Sequence, residues 1–424
     1  MRVLWLTQLQ LPAATGDSSM LLGGWLEGLR AALEHYEKDV ELGIVSSGGV
    51  RHRPFESGNA TYYSLGEPSA DTRIQRIARG WRATAAVPRG PVEEAVAVAR
   101  RFAPDIVHIH GTEHFLGLAA SHLRAPCVAT LQGIATVCER FMFDAWPLSE
   151  IGRSVFTREF VRASSPLHAY VQMRVRAQVE RKIIEELRYV IGQTDWDREV
   201  ARLLNPSATY FDCPRALQAA FYETEWHGHA TPETTLYCTS SPSPYKGVET
   251  LLEAVHLLVE AGYDRVRLRI GGGFPGSYMW PMLTRLTRRR RLEGTVTWLG
   301  PLDARQIASE LRNATLYVLP SHIENESNAL IEAMLAGVPC VAAAVGGVPS
   351  VVRQGVDGVL YHDSDPFALA AAIAGLLDDP DLARSLGTNA RARAHARFDR
   401  ETAAHRTREI YEQIIAASSG VAGV

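Results

Sequence analysis

Short apolar segments alternate with helical patterns along the whole chain, and this alternation limits the folds that the sequence can adopt. We predict strands in the first half at residues 3–7, 40–46, 106–110, 127–131, 189–192 and 208–211, and in the second half at residues 235–238, 266–270, 296–299, 316–319, 340–344 and 359–361. Strands separated by helices pair in parallel and are covered on both faces. A chain of 424 residues also exceeds what one core usually organises. The sequence therefore predicts an α/β protein with two similar domains, joined near residues 222–234.

The most informative segment is a strand, a polar loop and a short helix at residues 316–347, which read LYVLPSHIENESNALIEAMLAGVPCVAAAVGG. Ser327 and Asn328 are good N-cap types for a helix at residues 329–336, and Gly337 stops that helix. A helix N-terminus at the carboxyl end of a strand exposes unpaired N–H groups and a partial positive charge. The segment therefore predicts a binding site for a diphosphate.

Two carboxylates, Glu324 and Glu332, lie on either side of this predicted helix start. Glu324 precedes the helix and Glu332 lies one turn inside it, so both can face a ligand held at that end. One could accept hydrogen bonds from sugar hydroxyls and the other from a ribose. The alternative is two solvated surface charges, the usual state of a glutamate. The strand, the cap and the turn beside them favour the ligand-binding interpretation.

This segment resembles the nucleotide-sugar signature of the retaining glycosyltransferases of family 4, in which two facing Rossmann-like domains form the GT-B fold. The resemblance rests on Glu324, Glu332 and the following AMLAGVPCVAA, and it extends over nearly the whole chain. It implies an acceptor-binding domain at residues 1–225 and a nucleotide-sugar-binding domain at residues 226–398. Residues 399–424 would form a helix that crosses back onto the first domain.

The resemblance also implies roles for individual side chains. Glu324 would hold hydroxyls of the transferred sugar, Glu332 would hold the ribose, and Lys246 would neutralise the diphosphate. His110, at the end of a first-domain strand, would contact the transferred sugar, although a buried structural histidine is the alternative there. Gly23 and Gly24 would face the donor phosphates, and Trp298 and Leu299 would lie on the base side. The helix N-terminus at Asn328, Ala329 and Leu330 would hold the diphosphate.

Two positions depart from the family pattern. Relatives carry an arginine where this chain has Ser241, so either another cation neutralises the leaving diphosphate or the rate is lower. Arg215 and the arginines at residues 174–181 are candidates for that cation. Relatives often carry a histidine where this chain has Leu131, Gln132 and Gly133. The acceptor contact that the family makes there is therefore not expected here, while Thr112, Glu113 and His114 would lie on a loop above the acceptor.

Composition excludes several other classes of protein. Lys and Arg number 44 against 47 Asp and Glu, a net charge of −3, so the chain as a whole does not attract nucleic acid or a membrane. The five cysteines lack metal-ligand spacing and are expected to be buried thiols in a reducing compartment. No apolar stretch is long enough to span a membrane, and the first residues lack the features of a signal peptide. We expect a cytoplasmic protein, at most peripheral at the inner face of a membrane.

Two regions of the first half are less regular. Residues 51–91 show little apolar periodicity and are predicted to be loops that form part of an acceptor site. Residues 151–188 look helical and rich in arginine. This helix either exposes a solvated basic face or docks an anionic lipid or a phosphorylated acceptor.

The resemblance predicts transfer of a hexosyl group from a nucleotide diphosphate sugar to a hydroxyl acceptor with retention of configuration. UDP is the expected carrier, and the acceptor would be a glycan, a lipid-linked molecule or a small molecule. No DxD or His/Asp cluster is evident, so we expect no metal and no cofactor other than the donor substrate. A GT-B nucleotide-sugar epimerase, and a catalytically inactive scaffold that binds sugar nucleotides, remain as alternatives.

Overall fold

Two sheets organise the chain in the computed structural model, which describes residues 1–9, 11, 24–48, 52–65, 81, 89–143, 146, 148–228 and 234–421. In these residues the first sheet contains β1 (Arg2–Thr7), β2 (Glu41–Ser46), β3 (Phe55–Ser57), β4 (Ala60–Ser64), β5 (Ile106–His110), β6 (Cys127–Thr130), β7 (Tyr189–Gly192) and β8 (Thr209–Asp212). The second contains β9 (Thr234–Thr239), β10 (Val266–Gly271), β11 (Val296–Gly300), β12 (Leu316–Leu319), β13 (Cys340–Ala343) and β14 (Val359–Tyr361). The strands predicted from the apolar pattern are all present, with bounds that differ by one residue or none.

Both sheets are doubly wound. The first has the order β3-β4-β2-β1-β5-β6-β7-β8 and the second β11-β10-β9-β12-β13-β14. All neighbours pair in parallel except β3 and β4, which are antiparallel. Ligands of such sheets bind outside the carboxyl ends of the strands, so the loops at those ends hold the candidate site.

Helices connect the strands and cover the sheets. Those of the first half are α1 (Gly24–Tyr36), α2 (Arg89–Phe102), α3 (Ala135–Cys138), α4 (Leu148–Arg153), α5 (Arg158–Val161), α6 (Pro166–Glu186), α7 (Asp195–Leu204) and α8 (Ala219–Tyr222). Those of the second half are α9 (Val248–Glu260), α10 (Trp280–Arg289), α11 (Ala304–Asn313), α12 (Asn328–Ala336), α13 (Val348–Val351), α14 (Pro366–Asp378), α15 (Pro380–Arg397) and α16 (Arg400–Val421).

The hairpin of β3 and β4 corrects the prediction that residues 51–91 form loops. Ala60 and Tyr62 of β4 are buried, and the ring of Tyr62 stacks on that of Phe55 with centroids 4.9 Å apart. Alternate residues of β4, the short strand next to the edge, pack onto the core, a pattern too brief to stand out in the sequence. Residues 66–80 and 82–88 of the same predicted loop lie outside the described residues.

The last helix returns to the first sheet. The hydroxyl of Tyr411, on α16, accepts a hydrogen bond from Trp5 Nε1 at 3.2 Å and lies 2.6 Å from His108 Nδ1. Ile410 and Ile414 of the same helix belong to the core cluster beside β1. In the described part of the chain, no helix combines the length and apolar character needed to cross a membrane.

Candidate functional site

The loop between β12 and α12 forms the centre of the candidate site. Ser327 is the N-cap of α12, and its Oγ accepts the N–H of Leu330 at 3.4 Å. Gly337 ends the helix with a φ of 83°, a conformation that glycine adopts without strain. The cap and the stop were both predicted, although the helix begins one residue earlier, at Asn328. The helix therefore presents its N-terminus at the carboxyl end of the second sheet.

Lys246 and Glu324, both predicted site residues, lie in direct contact. Lys246 ends the 3₁₀ turn after β9, and its Nζ donates a hydrogen bond of 2.6 Å to Glu324 Oε1. Ser321 Oγ donates to the same carboxylate oxygen at 2.7 Å. Burial alone would lower the pKa of Lys246, but the adjacent Glu324 carboxylate outweighs it and raises that pKa above its ordinary value. Lys246 is therefore a fixed positive charge beside the start of α12.

Glu332 lies one turn inside the same helix and is buried. This burial raises the pKa of its carboxyl to about 8. Among the described residues no side chain or main-chain group forms a hydrogen bond with it. An unpaired buried carboxyl is costly to ionise, so burial favours the protonated form of Glu332 in the free protein.

The other predicted positions on α12 differ in how available they are. The N–H of Leu330 is already donated to the cap residue Ser327, because a cap side chain usually takes the amide of the third helical residue. Asn328 Oδ1 is buried and has no partner among the described residues. Asn328 and Ala329 are half-buried. The amides of Asn328 and Ala329 are therefore better placed for an anion than that of Leu330.

His322, which the sequence did not single out, lies beneath this site between two carboxylates. Its Nε2 is 2.5 Å from Glu249 Oε1, and its Nδ1 is 2.8 Å from Asp363 Oδ1. Burial opposes the charged imidazolium, but the hydrogen bonds to Asp363 and Glu249 outweigh burial and raise the pKa of His322 to about 10. A Cβ added to Gly247 would lie 3.4 Å from His322 Cε1. His322 is therefore a buried cation that supports the turn on which Lys246 lies, and its main-chain N–H donates to Tyr245 O at 2.9 Å in that turn.

His110 lies at the carboxyl end of β5, as predicted, but its ring is buried. It packs on His108, with centroids 3.8 Å apart, and against Trp5 at 4.4 Å and Trp25 at 5.5 Å. Burial, and then the neighbouring His108, hold the pKa of His110 well below its usual range. Neither ring nitrogen has a hydrogen-bond partner among the described residues. His110 is thus a neutral imidazole with two uncommitted nitrogens.

The remaining predicted donor residues lie at three places. Gly24 begins α1, and a Cβ there would come within 2.9 Å of Gln218 Nε2. Gly23 lies outside the described residues. Trp298 packs between Phe274 and Trp280, with centroids 5.3 Å and 5.2 Å away. Leu299 packs beside the other core cluster of the second sheet, so these two side chains point to opposite faces.

Arg215, a candidate to replace the missing arginine, is committed to a contact between the two halves of the chain. Its Nε donates to Glu326 Oε2 at 2.8 Å and its Nη1 to Gln132 Oε1 at 3.0 Å. Arg397 donates to the other oxygen of Glu326 at 3.2 Å. Glu326 and Arg215 are buried, so this arginine holds the loop that begins at Glu324 and is not a free cation.

Asn325 makes a second contact between the halves at the same loop. Its Oδ1 accepts the hydroxyl of Thr194 at 3.0 Å, and its Nδ2 donates to Leu131 O at 3.3 Å. A Cβ on Gly347 would lie 2.7 Å from Thr194 Cγ2, so the backbone of Gly347 approaches the Thr194 side chain closely. Asn325 and Glu326, the two residues that follow Glu324, therefore connect the loop between β12 and α12 to the first domain.

Two carboxyls with raised pKa values lie at the loop that is predicted to lie above the acceptor, Glu113 within the loop and Glu180 against it. Burial raises the pKa of Glu113 to about 7, and its Oε2 is buried with no partner among the described residues. Glu180 of α6, which the sequence reasoning missed inside an arginine-rich helix, accepts from Thr112 Oγ1 at 2.8 Å and Thr136 N at 2.7 Å. Glu180 therefore fixes the loop, while Glu113 keeps an oxygen for a ligand.

Arg176 lies on the exposed side of α6, and its positive charge acts on groups of this loop and of the second half of the chain. Burial, and then the charge of Arg176, lower the pKa of His114 to about 3. The same charge acts on Glu113 and on Tyr278, which belongs to the second half. Arg176 is in no ion pair among the described residues. Its guanidinium is therefore a cation available to a ligand near the acceptor loop.

Comparison with known proteins relates this chain to one family in its second half. Residues 225–393 match the model of the family described as Glycosyl transferases group 1. A D-inositol 3-phosphate glycosyltransferase of Streptomyces coelicolor is 35% identical over 177 residues, which are 41% of this chain and 38% of that protein. One of Corynebacterium glutamicum is 32% identical over 176 residues, 41% of this chain and 42% of that protein. The chain thus spans about two fifths of the length of these relatives.

Solved structures with the same architecture cover almost the whole chain. A sucrose-phosphate synthase from Thermosynechococcus elongatus has a TM-score of 0.74 at 20% identity and covers 98% of this chain and 100% of that one. HepE of Anabaena, in complex with UDP-glucose, has a TM-score of 0.67 at 19% identity and covers 97% and 100%. The protein therefore has the GT-B fold of two Rossmann-like domains, and its second domain matches the glycosyl transferases group 1.

Proposed function

We propose that this protein is a retaining glycosyltransferase that moves a hexosyl group from a nucleotide diphosphate sugar, with UDP as the expected carrier, to a hydroxyl acceptor. One observation carries the proposal most directly. Lys246 and Glu324 meet at 2.6 Å beside the N-terminus of α12, and Glu332 lies buried one turn further along the same helix. This places a cation, a helix terminus and two carboxyls around one end of a parallel sheet.

The proposed role of Lys246 and α12 is to stabilise the departing diphosphate. Negative charge develops on the leaving oxygen as the glycosidic bond breaks, and fixed positive groups in a partly dry cleft stabilise that charge without reorganisation. The main-chain N–H groups of Asn328 and Ala329 add donors at the helix end. The transfer would then need no divalent metal and no cofactor.

The proposed contacts with the sugar and ribose use the carboxyls and the buried histidine. Glu324 would accept hydrogen bonds from hydroxyls of the transferred sugar, and Glu332 from those of the ribose. His110, from the first domain, would offer an uncommitted ring nitrogen to the sugar. Trp298 and Leu299 would lie on the base side, with Gly24 and Gly23 near the phosphates.

For the position where relatives carry an arginine and this chain has Ser241, we propose Arg176 as the replacement. Arg215 is already paired with Glu326, whereas Arg176 is exposed and its charge reaches both halves of the chain. On the acceptor side, Glu113 would receive a hydroxyl through its unpartnered oxygen. Because the relatives named above are inositol 3-phosphate glycosyltransferases, a phosphorylated polyol is the first acceptor to test alongside glycans and lipid-linked molecules.

The test begins with thermal unfolding in the presence of UDP, GDP and ADP and their hexoses, because ligand binding to the native state raises the apparent melting temperature. The sugar nucleotide that stabilises the protein most is then incubated with candidate acceptors, and the anomeric configuration of the product is read by NMR. A retained anomer supports the proposal, and an inverted one contradicts it. An epimeric sugar nucleotide formed without acceptor would identify an epimerase, and binding without any turnover would identify a scaffold.

A further inference from the structure

We propose that one face of the first domain docks the protein on an anionic lipid bilayer. This face, which we call the apolar face, consists of Val155, Phe156, Val161, Leu167 and Val171, all of which are exposed. Docking at this face does not depend on the chemistry of the donor. The transferase activity proposed above does not say what this face binds.

The apolar face is unusual in how much large apolar surface it leaves in water. Phe156 is 92% exposed and Val161 is 65% exposed. Leu203 and Phe367, two other exposed large apolar side chains in the described residues, lie on α7 and α14. Single exposed apolar residues are normal, whereas a group of them marks a binding surface.

Contacts among neighbouring residues hold together the elements that carry these side chains. Trp81 packs edge-on against Phe160 at 5.7 Å and against His168 at 4.5 Å, and its Nε1 donates to Val161 O at 3.2 Å. Phe160 and His168 are themselves 5.0 Å apart. The end of α5 is therefore fixed against the start of α6, where Leu167 and Val171 lie one turn apart.

The charges around the apolar face favour an anionic surface as its occupant. Arg153, Arg158 and Arg162 are exposed and lie close in sequence to members of this face, with the half-buried Glu159 between two of them. Arg153 pairs with Glu150, but neither Arg158 nor Arg162 belongs to an ion pair within the described residues. A two-fold pairing of this face with a second copy would bring the same basic rim against itself. Exposed apolar side chains with arginines next to them are instead typical of segments that lie in the interface of an anionic membrane.

Helix α6 connects the apolar face to the predicted acceptor side of the cleft. Helix α6 begins at this face and extends to Glu180, which fixes the acceptor loop through Thr112. A groove of about 580 Å³, lined partly by Tyr170, Arg174 and Arg181, follows the same helix. An acceptor held at a bilayer would therefore lie along α6, on the acceptor side of the cleft.

The experiment is co-sedimentation of the full chain with vesicles of phosphatidylcholine alone or with about 30% phosphatidylglycerol added. We expect binding to the anionic vesicles only, and a loss of binding in high salt. Phe156→Ser should weaken binding about tenfold or more, since the exposed aromatic ring that would enter the bilayer interface is lost. Arg158→Gln should weaken it about fivefold, the effect of one basic residue near an anionic surface.

The matched control is Phe367→Ser, because Phe367 is 71% exposed but lies on α14, away from this face. It should bind vesicles like the wild type. The proposal is wrong if the wild type stays in the supernatant with anionic vesicles, or if both serine variants lose binding equally. It is also wrong if light scattering shows a dimer that Phe156→Ser dissociates, since the face would then join two copies. Thermal shifts with sugar nucleotides should be unchanged in Phe156→Ser, which separates this test from that of the transferase.

Discussion

Lys246 Nζ lies 2.6 Å from Glu324 Oε1, so the cation proposed for the diphosphate and the carboxylate proposed for the sugar neutralise each other in the free protein. Each keeps the other in place before a donor arrives. A bound diphosphate would offer Lys246 a second anionic partner. Glu324 could then turn its free lone pairs to the hydroxyls of the sugar.

Lys246→Ala should weaken donor binding and lower turnover. Loss of a charged contact in a desolvated site costs about 1.5–3 kcal/mol, which is roughly ten- to a hundredfold in affinity. Calorimetric titration of the nucleotide and a turnover assay measure both effects. Lys38→Ala, at an exposed lysine on the first domain, is the control and should change neither. Donor affinity and turnover that match the wild type would remove Lys246 from the site.

The two glutamates should separate in their kinetic effects. We expect Glu332→Gln to weaken sugar-nucleotide binding, because it contacts the nucleotide part that does not react. Glu324→Gln should chiefly lower kcat, because its contacts are with the sugar whose bond breaks. Initial rates over a range of donor concentrations give both parameters. Equal and unaffected kinetics in both variants would refute the assignment.

Glu332→Gln should also change how stability depends on pH. Burial raises the pKa of this carboxyl from 4.5 to about 8, so the folded state favours the protonated form. The free energy of unfolding of the wild type therefore falls as pH rises through that range, whereas a glutamine has no such dependence. We expect the free energy of unfolding of the variant to rise relative to that of the wild type by at most about 1.4 kcal/mol per pH unit between pH 5 and 8.

Urea unfolding at several pH values in that range measures this difference. Glu56→Gln, at an exposed glutamate of β3, is the control and should follow the wild type at every pH. A difference between Glu332→Gln and the wild type that stays constant with pH would show that this carboxyl is already ionised in the folded protein.

His322→Asn should destabilise the second domain. The substitution leaves Glu249 and Asp363 without their shared cation, and removing one partner of a buried ion pair costs about 3–5 kcal/mol. Because the pKa of His322 is raised to about 10, its contribution is complete below the ordinary pKa of 6.5 and is lost as pH rises towards 10. The gap in melting temperature between wild type and variant should therefore narrow from pH 6.5 to pH 10. The exposed His362→Asn should show no such gap.

Arg215→Met should lower both stability and turnover. It leaves the buried Glu326 with Arg397 as its remaining charged partner, and it loosens the loop between Glu324 and the cap of α12. The double variant Arg215→Met with Glu326→Leu should recover stability, because replacing a buried ion pair by apolar residues is often neutral. It should not recover turnover if the contact positions the loop. Full recovery of both would make the pair purely structural.

Local patterns in the sequence were enough to predict the strands of the two sheets and the cap of α12. Strand bounds such as those of β5 and β12, the Ser327 cap and the Gly337 stop each depend on residues close in the chain. The edge hairpin was missed because only Ala60 and Tyr62 mark its buried face. Whether the predicted residues contact a donor stays a prediction.

The supporting network could not be predicted from the sequence because its partners are far apart along the chain. His322 meets Glu249 across 73 positions and Arg215 meets Glu326 across 111. A histidine in a polar loop, or a glutamate in a basic helix such as Glu180, gives no local sign of burial. Only the packing of the two sheets brings these charges together.

The most direct test of the proposed site is a crystal structure of the protein with an intact, non-transferable UDP-hexose. We expect the diphosphate at the N-terminus of α12, with its oxygens on Lys246 Nζ and on the amides of Asn328 and Ala329, and the ribose hydroxyls on Glu332. A donor bound elsewhere, or an end of α12 filled by packed side chains with no room for an anion, would contradict it.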